Sequence, residues 1–434
     1  MLILLALVTT MGVAIAAKVL GWRLPALRSA SKPEVDKTVC GEWDLFYGPD
    51  HNLGLGYSVL YDVVAIADND VWAIGFTTHQ NQGHSRSLIV HWDGSAWNIV
   101  PSPEPSGSVG TYITDLVAIT ADDIWAVGSY YKEPSHSSEW TLTMHWDGEE
   151  WSLVPSPNMG LERNTLNNIA AVSSDDIWAT GTYELEKPAG GASSIGWYIQ
   201  TLHWDGENWT IVPSPIYEVG PHARTYSNGL SSLVALSEQD IWGFGSYIYD
   251  DNSPPSKDGL LVLRWNGKDW RIEATAPLTT TSDTITKLGL ADTSATGDVW
   301  VLGQNLDEQT LLTQWDGTRW NTVSGPIAGD DNKLLAFEAI ENDDVWAVGS
   351  SESHHGIPHK TLVLHWNGTA WGLIESPNAL RNTYFSGVAA TPSGEIWTVG
   401  YTTDDPYEPH RASLPRYALA ARFVETSCAT PSGT

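Results

Sequence analysis

A sevenfold repeat constrains this chain more than any other feature. The motif Asp-X-Trp, or Glu-X-Trp in the last copy, recurs with its indole at Trp72, Trp125, Trp178, Trp242, Trp300, Trp346 and Trp397. The intervals are 53, 53, 64, 58, 46 and 51 residues, a period at which one supersecondary unit is stacked many times. The clearest copy reads LNNIAAVSSDDIWATG, then a variable stretch, then TLHWDGENWTIVPSP. Its four short apolar, β-branched or aromatic runs are separated by turn residues, which predicts four strands, a to d. Strand b carries the motif tryptophan, strand c ends in a second one and strand d begins at a third. Between c and d stands Asp-Gly or Asn-Gly in six copies, read as a hairpin with positive φ at both turn positions.

Four strands per unit and seven units predict an all-β fold, a seven-bladed β-propeller with four antiparallel strands per blade. The 23 Trp, against 6 Phe and 4 Met, then have a place, because 20 of them occupy the three recurring positions in strands b, c and d. Large rings there fill the space between twisted blades. The histidines before the strand c tryptophan, His91, His145, His203 and His365, are read as part of the same frame, since Arg264 and Gln314 stand there in other units. The paired acids Asp122-Asp123, Asp175-Asp176 and Asp343-Asp344 fall in the a-to-b turn, where their side chains are expected to accept backbone hydrogen bonds.

The ends of the chain complement each other. The last unit stops after Phe423 without its hairpin, and the segment EWDLFYGPD, residues 42 to 50, has the form of an isolated strand d. The N-terminal strand is therefore expected to complete the last blade and close the ring. That closure brings together Cys40 and Cys428, the only 2 Cys, and predicts a disulfide between them; two separate thiols are the alternative. Residues 1 to 22 are apolar and are read as a signal peptide or an N-terminal membrane anchor. Residues 23 to 41 form a linker, 42 to 424 the propeller and 425 to 434 a tail. The basic flank after the leader points to the cytoplasm and the bridge to an oxidising compartment. Export, to the periplasm or the cell surface, secreted or anchored, is the reading adopted.

The WAVG and HWDGxxW pattern resembles the tryptophan-rich propeller repeats of exported bacterial proteins over residues 42 to 424. In layout it is similar to Asp-box propellers, including sialidases and the photosystem II assembly-factor type. The resemblance implies a propeller. The acid and the tryptophan of the hairpin are four residues apart here (Asp147 and Trp151), against five in the Asp box, and no matched catalytic Arg, Tyr and acidic set carries over sialidase chemistry. Shared architecture does not imply shared activity.

Function is sought in what does not repeat. The c-to-d connection is constant, whereas the b-to-c connection varies from 11 residues (Gly303 to Gln314) to 22 (Gly181 to His203). The b-to-c and d-to-a loops share one face, as suits a rigid scaffold with a variable recognition surface. Ligand-binding candidates on that face are the histidines His79, His84, His136, His354, His355, His359 and His410. The aromatic candidates are Tyr130, Tyr131, Trp140, Trp197, Tyr247, Tyr249 and Tyr407. The run His354 to His359 is the best transition-metal candidate by residue type, but its Gly and Pro fix no ligand geometry. It is read as solvated loop histidines, and no metal or cofactor is expected.

A net charge of -30 is the wrong sign for nucleic acid. No catalytic motif or residue is assigned. The expectation is a non-catalytic binding or scaffold module, exported or membrane-tethered, for a protein partner in a larger envelope assembly or for a surface polysaccharide. A glycan-binding, lectin-like propeller and a hydrolase with an acidic central site are the alternatives.

Overall fold

A computed structural model describes residues 39–48, 57–78, 84–133, 138–160, 162–184, 196–217, 224–250, 257–273, 285–305, 310–324, 332–351, 358–404 and 415–428. The chain divides into two units, residues 1–32 and 33–434, and all described residues fall in the second. Its leader reading and those for His79, His136, His354, His355, Tyr407 and His410 lie outside the described residues.

The described strands number 28 and form five four-stranded sheets and one eight-stranded sheet. The eight-stranded sheet consists of two antiparallel four-stranded sets joined by one parallel pair, Trp197 with Ser227. In the first covalent unit the strands are Tyr57–Ala67, Asp70–Thr78, Ser85–Trp92 and Trp97–Ile99. Sheet order follows chain order, so the blade is the up-and-down meander that the repeat predicts. The last sheet is different: its fourth strand is Gly41–Tyr47, paired with Tyr417–Glu425 so that Trp43 faces Phe423. Cys40 is disulfide-bonded to Cys428 across a separation of 388 residues. The expected closure by the N-terminal strand is what the structure contains.

Neighbouring sheets touch through their first strands, in a cycle that returns from the last unit to the first. Each step carries a polar staple. Asp62 accepts the Leu116 N–H (3.4 Å), Asp115 that of Ile169 (2.8 Å) and Asp292 that of Ala339 (2.8 Å), and Glu338 accepts the Ala390 N–H. Asn168 donates to Leu230 O (3.3 Å), Ser232 to Gly289 O (3.3 Å), and Ser386 to Leu60 O (2.7 Å), which joins the last unit to the first.

Tryptophans fill the wedge between sheets. Each strand b indole packs on the strand c and d rings of the following unit: Trp72 lies 4.8 Å from Trp146 and 6.0 Å from Trp151, and Trp178 lies 4.8 Å from Trp265 and 5.4 Å from Trp270. The cycle ends with Trp397 against Trp92 (5.1 Å) and Trp97 (5.4 Å) of the first unit. Trp72, Trp178 and Trp397 are each at most 2% exposed, so each ring contributes several kcal/mol of burial, about 3–5 by truncation.

Two expectations about turns are corrected. The c-to-d connection is a four-residue loop, because Trp92 pairs with Trp97, and its acid works as an acceptor rather than as a residue at positive φ in a two-residue turn. Asp93 takes the N–H groups of Ser95 (2.8 Å) and Ala96 (2.9 Å), while Gly94 alone needs the left-handed region (φ 90). The second acid of each a-to-b pair accepts from side chains, not from the backbone. Asp123 Oδ1 takes the Trp125 indole N–H (3.0 Å) and a ring nitrogen of His145 (2.9 Å), and the imidazole stacks on Trp125 at 4.5 Å. The same triad holds Trp72, Trp178 and Trp346. Arg264 replaces the histidine in another unit, takes both oxygens of Asp240 and lies 4.4 Å over Trp242. Trp242, Trp300 and Trp397, the units without the histidine, have buried indole N–H groups with no hydrogen-bond partner.

Candidate ligand-binding site at the channel mouth

The site begins with an irregularity in the innermost strand of every unit. Pairing between strands a and b slips by one residue at the same place each time, for example between Leu60 and Asp62, Ile113 and Asp115, Leu334 and Ala336, and Phe385 and Gly387. A bulge of this kind leaves one residue unpaired and re-aims its side chain. The extra residues are Tyr61, Thr114, Asn167, Leu335 and Ser386 in five of the units, and all five line one cavity. The glycine of the WAVG motif is the counterpart of the bulge. A Cβ on Gly75, Gly128 or Gly400 would stand 1.9 Å from the carbonyl oxygen of Val59, Tyr112 or Tyr384, a distance no larger residue tolerates.

The cavity has a volume of about 590 Å³. Tyr131 and Tyr401 reach it from the ends of b strands and Glu139 from the start of a c strand, so it opens on the face of the variable loops. Its wall is a collar of tyrosines on a Phe76 hub, whose ring is 5.5 Å from Tyr57, 5.6 Å from Tyr61 and 5.4 Å from Tyr112. Tyr112 meets Tyr131 edge-on at 5.9 Å and donates to Ser85 Oγ (2.7 Å). Glu139 is buried and accepts from Ser129 Oγ (2.6 Å) and from the Tyr131 phenol. Tyr61 and Leu335 remain 37% and 40% exposed, large unpaired surfaces at the entrance to a cavity. Burial first, and then the Tyr57 and Tyr112 phenols, push the Tyr61 hydroxyl up to about 12. Burial and the Glu139 carboxylate raise Tyr131 as well. Both are neutral hydrogen-bonding groups at physiological pH.

One residue past Tyr61 and Thr114 come Asp62 and Asp115, hydrogen-bonded to each other. Both are partly buried, and burial raises both carboxyls. Asp115 is raised further by the charge of Asp62. Asp292 is pushed up to about 6 by burial, and Glu338 well above its usual range by burial and by Asp292. Beneath this tier, Glu338 lines a second cavity of about 370 Å³ with apolar residues such as Val64 and Ile66. The described partners of the acids are backbone N–H groups and one another. Their geometry is that of inter-blade staples, and no Arg or His stands among those described partners.

Of the candidates read from the sequence, Tyr131 lines the cavity. Tyr130 and Trp140 stack on each other instead (5.8 Å) beneath Lys132. Trp197 packs under Arg163 at 5.7 Å, and Tyr247 stacks on Tyr217 at 4.1 Å. His84 is exposed, and Tyr249 belongs to the strand Asp240–Asp250. His359 is not a solvated loop histidine. It is 8% exposed, its ring 5.0 Å from Tyr384, which stacks on Tyr401 at 4.6 Å, so it backs the collar from behind. Among the described residues, no three His, Cys, Asp or Glu side chains are grouped to hold a metal. The residues missed are Tyr61, Tyr112, Leu335, Tyr401 and Glu139. The signal for those on the inner strands was a polar or bulky residue inside an otherwise apolar run, as in LYDVV, whereas Tyr401 and Glu139, on a b and a c strand, left none.

The sequence matches no family model and no curated protein. Its fold is similar to that of YCF48 bound to a D1 peptide, at 14% identity and TM-score 0.50, over 91% of this chain and 99% of that one. A protein of unknown function from Dyadobacter fermentans is 11% identical at TM-score 0.46 over 89% and 98% of the two chains. The fucose-binding lectin of Aleuria aurantia, a six-bladed propeller, is 13% identical at TM-score 0.40 over 88% and 99%. The likeness to YCF48 supports a propeller; at this identity it speaks for the fold alone.

Proposed function

We propose that the protein is an extracytoplasmic seven-bladed propeller, the eight-stranded sheet counting as two blades, that binds a segment of a partner protein at the tyrosine collar and does no chemistry of its own. Residues 1–22 serve as signal peptide or anchor, 23–41 as linker and 425–434 as tail. The observation that carries the binding reading is the cavity of about 590 Å³ at the axis, on the face of the variable loops, with Tyr61 and Leu335 exposed at its entrance. Cavities of this size, mostly apolar with a few convergent polar groups, are the usual binding sites of rigid scaffolds. The bridge Cys40–Cys428 suits an oxidising compartment. YCF48 binds a peptide on a similar fold, which makes a chain segment the first partner to test. A photoreactive benzoylphenylalanine placed at Leu335 in the native host is expected to cross-link a specific protein, and the same group at Glu149, in the opposite turn, to yield none. Cross-links from position 149 alone, or from neither site, would overturn the reading.

A further inference from the structure

The collar also says which chemical group it receives, an inference that rests on the binding reading just given. Three tyrosine rings, Tyr61, Tyr112 and Tyr131, line a cavity whose described lining holds one carboxylate, Glu139, and no cation. The Asp62–Asp115 pair stands one residue further along the same two inner strands. Among the described residues, Arg416 and Arg163 lie near the collar, and both are engaged. The Arg416 guanidinium is sandwiched between the rings of Tyr57 (4.6 Å) and Tyr401 (4.8 Å), and Arg163 reaches Glu184 at 3.8 Å while lying over Trp197. The protein thus already seats one guanidinium between tyrosine faces on one side of the mouth. On the other side it presents the faces of Tyr61, Tyr112 and Tyr131 with the Glu139 carboxylate behind them and, among the described residues, no cation in the lining. An anion entering there would meet the Glu139 carboxylate, while the guanidinium groups of Arg416 and Arg163 are already committed to ring faces and to Glu184. A neutral sugar would draw nothing from the Glu139 charge. A cation gains on every count, since ring faces attract it, a carboxylate at the wall pairs with it, and a net charge of -30 draws it in.

We propose that the collar is a receptor for one basic side chain, a lysine or arginine of the partner, which enters between Tyr61, Tyr112 and Tyr131 and is neutralised by Glu139 at the wall and the Asp62–Asp115 pair below.

The test uses the oxidised full chain in mild detergent and four capped pentapeptides, Gly-Ser-X-Ser-Gly, with X arginine, lysine, citrulline or norleucine, titrated by calorimetry or by NMR. Arginine and lysine peptides should bind about tenfold or more tighter than citrulline and norleucine. That preference should shrink as salt is raised. Tyr61→Ala, at an exposed position, should remove the preference. Glu139→Gln, which keeps the acceptor for Ser129, should weaken basic peptides by about threefold to tenfold and leave citrulline unchanged. Equal binding of arginine and citrulline, basic-peptide binding indifferent to both substitutions, or no binding of any of the four would each overturn the assignment. Loss of Leu335 cross-linking in Tyr61→Ala with no charge preference among the peptides would leave the mouth as a binding site and remove the cation. Retention of that cross-linking, again with no charge preference, would leave the mouth as a binding site that does not depend on Tyr61 and would likewise remove the cation.

Discussion

The frame of this propeller and the mouth of its channel are built from the same strands under opposite rules. In the frame, one solution is repeated: an indole of strand b between two rings of the next unit, an acid two residues before it, and a histidine or arginine stacked on its face. At the mouth, the repeated element is only the backbone bulge, and the side chain it delivers differs each time: Tyr61, Thr114, Asn167, Leu335, Ser386. Repetition marks what every blade needs in order to pack. Its absence at a position the fold holds rigidly marks a surface free to specify a ligand. Even within the frame the repeat is looser than the motif suggests, since the units with Arg264, Gln314 and Arg422 leave the indole N–H buried and unpaired, at a cost of about 1–3 kcal/mol each.

If frame and mouth are separable, breaking the frame should change stability and leave recognition intact in the folded fraction. The largest effect is expected at the closure, where Cys40→Ser opens a bridge spanning 388 residues. The oxidised parent should be more stable by about 2–5 kcal/mol, read as a lower midpoint of denaturant unfolding in the variant. Equal midpoints, or free thiols at both positions in protein from its native compartment, would contradict the closure.

A smaller frame effect concerns the channel acids and has a definite sign. The Asp292 carboxyl is raised to about 6 by burial, above its unfolded value of about 4, so the folded chain binds that proton more tightly than the unfolded one. Its contribution is most favourable below pH about 4 and is lost as pH climbs through about 6. Asp292→Asn keeps an oxygen for the Ala339 N–H, gives up the acceptor of the Thr293 N–H and removes the charge. The variant should be more stable than the parent by about 1–2 kcal/mol at pH about 7.5, a figure reduced for water in the channel, and no more stable at pH about 4. A variant destabilised at both pH values would show that the charge itself holds neighbouring blades together.

Much of the frame was legible because it repeats. The Trp spacing gave the strands, the truncated last unit gave the closure by residues 41–47, and the two cysteines at its ends gave the bridge. The mouth was not legible for a specific reason. Side chains alternate across a strand with period two, and a one-residue bulge reverses that alternation, so Tyr61 and Leu335 cannot be placed by counting along their strands. The trace left in sequence is indirect: Gly75 and its equivalents, which the crowded bulge carbonyl requires to lack a Cβ. His359 was misplaced for a related reason, since His354 to His359 has the composition of a loop while its last residue already lies against Tyr384. The turn acids were assigned to backbone hydrogen bonds because that is what acids in turns generally do; the indole and imidazole that Asp123 holds come from 2 and 22 residues away.

The central claim is that recognition belongs to the mouth and not to the repeated frame. Hydroxyl-radical footprinting of the unsubstituted protein, alone and mixed with the partner that the position-335 cross-link identifies, tests it most directly, because tyrosine and leucine side chains report their own solvent contact. The account predicts protection of Tyr61, Tyr112, Leu335 and Tyr401, and unchanged reactivity of the exposed edge residues Ile99, Leu153, Ile211 and Ile272. Protection of those edge residues with Tyr61 and Leu335 still fully reactive would place the interface on the rim of the blades and contradict the account.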